Sequence, residues 1–161
     1  MKTATISELK EELSVLPSKT LQELCLRLAR YKKENKDLLT YMLFEAQNEQ
    51  GFISAVKKET EEQFAELPKA NWHGTKKSLR KILRSISRRS KHSGIKESEV
   101  EMLLHFCQLF KDSGILDAGN KAHISIYNRQ IEKLNSLVQK VHEDLQFDYN
   151  GQIRLLQILP E

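Results

Sequence analysis

The residues best suited to chemistry lie together in the stretch Lys76–Gly94, KKSLRKILRSISRRSKHSG. Eight of the sixteen residues from Lys76 to Lys91 are Lys or Arg, and none is acidic. Charge of this density suits the holding of a polyanion. At helical spacing, Leu79, Ile82, Leu83 and Ile86 fall within an arc of about 100°, while Lys77, Arg80, Lys81, Arg84, Arg88 and Lys91 fall in the opposing arc. The apolar arc docks the helix and the charged arc stays in water. A wet face ordinarily mixes signs, but Lys76–Arg80, Lys77–Lys81, Arg80–Arg84 and Arg84–Arg88 are all like-charge pairs at i, i+4. Together they cost on the order of 1–2 kcal/mol unless acids neutralise them. The simpler expectation is a face that stays solvated or is neutralised by the chain itself, with Glu59, Glu61, Glu62 and Glu66 just upstream. The alternative is an external anion such as nucleic-acid phosphate, met first by Arg80, Arg84 and Arg88. Trp72, the only tryptophan, is expected in the loop before this helix, closing a corner or stacking on a base.

Other chemistry is sparse. Gly114–Lys121, GILDAGNK, has the outline of a phosphate loop, but Asn120 separates the second glycine from Lys121 and Ala122 follows where Ser or Thr is needed. It reads instead as a helix end at Gly114 and a new cap at Asn120. His73, His92, His105, His123 and His142 form no His-x-x-x-His pair, there is no Cys-x-x-Cys, and no serine has nucleophile-elbow surroundings. No enzyme activity, metal or cofactor is therefore expected. Cys25 and Cys107 sit in apolar helical patterns and read as reduced, buried small hydrophobes.

The elements that must position the basic stretch are helices. Six Gly and three Pro in 161 residues leave little room for long loops, and no segment alternates β-branched residues. Thr5 with Glu8 makes a capping box ahead of Leu9, Leu13 and Leu16; Thr20 with Glu23 repeats it ahead of Leu21, Leu24, Cys25 and Leu28. Asn35 is expected to cap a third segment carrying Leu38, Leu39, Met42 and Leu43. A fourth, from about Gln50 to Leu67, buries Phe52, Val56 and Phe64. Thr75 then caps the basic helix. A sixth helix over Glu97–Lys111 turns Val100, Leu103, Leu104, Cys107 and Phe110 inward, and apolar Met102, Phe106 and Leu109 make it central. Glu97, Glu99 and Glu101 complement its dipole. Ile124, Tyr127, Ile131, Leu134, Val138, Val141 and Leu145 recur at 3-4 spacing and predict one long helix over Asn120–Gln146. Its seam is expected against a helix of the same chain, with self-association through Ile124–Leu145 as the alternative. A last helix over Tyr149–Leu159 buries Ile153, Leu156 and Leu159.

Within this framework Leu9–Leu43, LKEELSVLPSKTLQELCLRLARYKKENKDLLTYML, resembles a family of uncharacterised bacterial all-helical proteins. The shared pattern falls on Leu9-Lys10, Leu16-Pro17, Leu21 and Leu24, Tyr31 to Lys33, Lys36, and Leu39 with Leu43. The resemblance implies an all-α domain and brings no catalytic residues with it.

The expectation is thus a single all-α domain over residues 1–161, about eight helices in antiparallel hairpins, as an irregular bundle or short α-solenoid. Any subdivision would fall at the Pro68–Gly74 linker. The amino terminus lacks a signal-peptide pattern, and Leu38–Phe44 is far shorter than the roughly 20 residues of a membrane span. The protein is expected to be cytoplasmic, with no membrane role. Ten Lys or Arg and no acid lie between Leu67 and Lys96, leaving 16 basic and 22 acidic residues elsewhere. The function expected is a non-enzymatic helical interaction or scaffold domain, a protein partner ranking ahead of nucleic acid. The alternative is a nucleic-acid-associated protein that grips phosphate backbone through Lys76–Lys91.

Overall fold

The structure is a computed structural model that describes residues 2–157. Among these the fold is all-α: α1 (Ile6–Ser14), α2 (Ser18–Tyr31), α3 (Lys33–Thr40), α4 (Glu49–Ala65), α5 (Trp72–Ser93), α6 (Lys96–Asp112), α7 (Lys121–Val138) and α8 (Glu143–Leu156). A π-helical turn, Tyr41–Glu45, follows α3. No described helix is long and apolar enough to cross a membrane. The chain divides into two compact units, residues 1–44 and 45–161, so the Pro68–Gly74 stretch lies inside the second.

In the first unit the Thr5–Glu8 capping box forms as expected: Thr5 N–H donates to Glu8 Oε2 at 2.6 Å, and Glu8 N–H returns to Thr5 Oγ1 at 3.3 Å. The next two caps differ. α2 already begins at Ser18, placing Thr20 inside it, and Asn35 spends its side-chain amide on the Leu28 carbonyl at 2.9 Å. α2 packs on α3, but neither α1, α2 nor α3 holds a buried residue. Cys25 is exposed, contrary to the expected burial, because its stripe faces no packed neighbour on that side.

The second unit is built around α6, which packs against α4, α5, α7 and α8. The pairs Lys57–Glu101 and Glu61–His105 run α4 and α6 in one direction, and Glu49–Ser93 with Glu59–Arg89 run α5 in the other. Phe64, Phe106, Phe110 and Tyr127 form an aromatic core with ring centroids 5.3–6.4 Å apart, mostly edge to face. Val100, Leu103, Leu104, Cys107 and Phe110 are all buried, as are Met102 and Phe106. α6 is apolar around most of its circumference because four helices cover it, and its polar strip of Glu101, His105 and Gln108 faces the side left open.

The single helix expected over Asn120–Gln146 is instead two. α7 ends at Val138, and the Lys140 and Val141 N–H groups tighten the end with bonds to Leu137 and Val138 carbonyls at 2.9 and 3.3 Å. Neither glycine nor proline marks the break. Its cause is tertiary: a continuous helix would carry Leu156 about 27 Å beyond Val138. Turning back buries Ile153 and Leu156 and lets Tyr127 Oη donate to the Leu156 carbonyl at 2.6 Å. The heptad seam is therefore not a continuous dimerisation surface. Tyr127, Ile131, Leu134, Val138 and Val141 are buried within this chain, Ile124 is half-buried and Leu145 lies exposed on α8. The last helix begins at Glu143, not Tyr149, and Leu159 lies outside the described residues.

Candidate polyanion-binding face

α5 starts one turn earlier than its apolar pattern suggests. Asn71 caps it, its side-chain oxygen accepting from Gly74 N–H at 3.1 Å. Thr75, the expected cap, sits buried in the first turn and donates its hydroxyl to the Pro68 carbonyl at 2.9 Å. The helix closes on Gly94, whose left-handed φ of 70° suits glycine at this position. Leu79, Ile82 and Ile86 are buried and fix the helix on its neighbours, so its rotation is set.

That rotation turns Lys77, Arg80, Lys81, Arg84 and Lys91 fully outward, with Lys76 and Arg88 half-buried. From Lys77 to Lys91 the row of cations runs about 21 Å along the axis. At its amino-terminal end His73, Lys76, Lys77, Arg80 and Arg84 line an open recess that contains no carboxylate. Trp72 belongs to the first turn of α5 and not to a preceding loop. Its indole lies 3.4 Å from the His73 ring, centroid to centroid and tilted by 31°, and remains 46% exposed. Its carbonyl meets Nε2 of buried His123 at 3.2 Å.

The acids of α4 do little to neutralise this face. Glu59 pairs with Arg89 at 3.0 Å on the flank. Glu61 points to His105, 3.0 Å away, and Glu62 and Glu66 are exposed. Among the described residues, Lys76, Lys77, Arg80, Lys81, Arg84, Arg88 and Lys91 have no carboxylate within ion-pair distance. The like-charge repulsion is left standing, to be relieved by water and salt or by an external anion.

A second polar cluster was not apparent from sequence. Lys57–Glu101 at 2.9 Å and Glu61–His105 at 3.0 Å run as two rungs between α4 and α6, beside a cavity that Tyr149 of α8 also lines. The signal was the i, i+4 spacing of Lys57 with Glu61 and of Glu101 with His105, which meets in register only once α4 and α6 lie parallel. Burial pushes the His105 imidazole below its ordinary range, and Lys57 adds to this; Glu61 opposes both, and its oxygen is not aligned with Nε2 as a hydrogen bond. Glu99 is held below the usual carboxylate range: burial would raise it, but Lys133 at 2.8 Å and Lys96 at 3.5 Å outweigh burial.

Cys107 is fully buried, and burial pushes its thiol up to about 12, so it stays protonated at neutral pH. Among the described residues no three His, Cys, Asp or Glu side chains gather as a metal site. No protein-family model matches the chain, and no curated protein or solved structure matches it significantly.

Proposed function

We propose that this chain is a non-enzymatic helical interaction domain that holds the phosphate backbone of nucleic acid on the outer face of α5. The observation that carries this reading is the seven-cation face left without an ion pair among the described residues, although α4, with four carboxylates, packs beside it. Charge that the chain could have neutralised and did not is charge available to a partner. A row about 21 Å long, on a duplex presenting one phosphate charge per about 1.7 Å of axis, finds several phosphates within reach. The side chains offer no base-reading arrangement, so the contacts position without specifying. The recess of His73, Lys76, Lys77, Arg80 and Arg84 suits a single phosphate group, and exposed Trp72 beside it offers a ring face for stacking.

Fluorescence anisotropy with short labelled single- and double-stranded nucleic acids, across a salt series, tests this. With five or six cations on phosphate, log affinity for duplex falls against log salt with a slope of about −5. An Arg80→Glu, Arg84→Glu, Arg88→Glu variant, with helicity checked by circular dichroism, loses nearly all binding. Absence of binding by the unaltered chain at low salt would remove nucleic acid as the partner and leave an acidic protein.

A further inference from the structure

The first unit has an unresolved burial problem. Its 44 residues hold three helices, yet Tyr41 is the only buried hydrophobic residue described in it. Units of this size seldom support their own fold and commonly depend on a cross-link, a metal or another chain.

Its apolar surface comes in two complementary pieces. α2 and α3 leave between them an open groove floored by Leu26, Leu39 and Leu43. Arg30, Lys32, Lys33 and Lys36 line the same groove, and no acid does. α1 is the opposite kind of surface. Ile6, Leu9 and Leu13 share one arc and are 81%, 45% and 43% exposed. Glu8, Glu11 and Glu12 against Lys10 give α1 a net charge of −2. No interface comparable to that of α2 with α3 joins α1 to either helix. An acidic amphipathic helix with a partly exposed apolar side and a basic-rimmed apolar groove thus occupy one unit without an extensive interface between them.

We propose that the α2–α3 groove takes α1 of a second copy of this chain, and that the exchange is reciprocal. Leu9 and Leu13 enter the apolar floor while Glu12 and its neighbours face the Lys33–Lys36 rim, a helix-in-groove contact with matched charge. Because each copy gives one arm and receives one, the contact is isologous and closes at two chains. It rests on the first unit alone and is independent of the phosphate-binding reading of α5.

Light scattering coupled to gel filtration, on the full chain over a concentration series, reads the mass. The expected result is twice the 18.7 kDa chain mass. Leu9→Ala with Leu13→Ala, both at exposed positions, gives the single-chain mass with unchanged circular dichroism. Glu11→Lys with Glu12→Lys leaves the Thr5–Glu8 cap intact and weakens dimerisation at least about tenfold, as does Lys33→Glu with Lys36→Glu in a separate chain. An equimolar mixture of these two charge-reversed chains recovers the dimer, since the reversed arm then meets the reversed rim while the native arm meets Lys33 and Lys36. A single-chain mass for the unaltered protein at every concentration would overturn the proposal, leaving the groove to its own chain or another partner. So would a dimer indifferent to both charge reversals, or a mixture that fails to recover.

Discussion

At the scale of single residues, the group with the clearest consequence is His105. The folded chain disfavours its charged form, so the unfolded chain takes up a proton first as pH falls. The stability attached to neutral His105 is therefore complete above its ordinary value near 6.5 and is lost as pH falls through the lower folded value. The melting temperature should drop between about pH 7.5 and 5, and a His105→Gln variant should drop less across the same window. Parallel curves for the two proteins would assign the drop to another group. Glu99 titrates apart from it: its stability is present above the ordinary 4.5 and is lost as pH falls through its depressed folded value. His105 was visible in sequence only as one of five scattered histidines. Its environment comes from Lys57 and Glu61 on α4, some 44 positions away, which no spacing rule brings to it.

Helix type and order were legible in the sequence, whereas several ends were not. The 3.6-residue period of apolar side chains identified α4, α5 and α6 with their buried stripes, because that period needs only local geometry. Caps were harder: Asn71 and Thr75 both precede the apolar run, and either could accept a bond from the first turn. The structure gives the cap to Asn71 and sends the Thr75 hydroxyl to the Pro68 carbonyl, closing the turn between α4 and α5. Asn71→Ala should cost about 0.5–2 kcal/mol in urea unfolding. A change within error would mean that Thr75 or solvent replaces the cap. The division between α7 and α8 had only a weak local signal, the acids Glu143 and Asp144 behind the His142 cap. The 3-4 spacing continues through it, and only the burial gained by folding α8 back decides the break.

For the whole molecule, the two units differ in how deeply they bury side chains. The second has an aromatic and aliphatic core centred on α6; α1, α2 and α3 of the first hold no fully buried residue. Backbone opening is cheap where few apolar contacts must be broken. In dilute solution, amide hydrogen exchange read by mass spectrometry should show α2 and α3 exchanging well before α6. Uniform protection along the chain would mean that the first unit is covered even as a monomer. The basic face belongs to this scale too. Its cations were plain in the sequence, but their lack of carboxylate partners among the described residues depends on where α4 aims its glutamates.

The sequence by itself determined the helical class, the amphipathic face of each core helix, the concentration of positive charge on α5 and the Thr5–Glu8 cap. All of these follow from residues within a turn or two of one another. Tertiary structure alone decided that α7 stops at Val138, that Cys25 stays exposed while Cys107 is buried, that Glu61 lies beside His105, and that seven cations of α5 meet no carboxylate among the described residues. Each of these depends on which face of one helix meets which face of another. Burial and ion pairing reward contacts between residues distant in sequence, and local spacing carries no record of them.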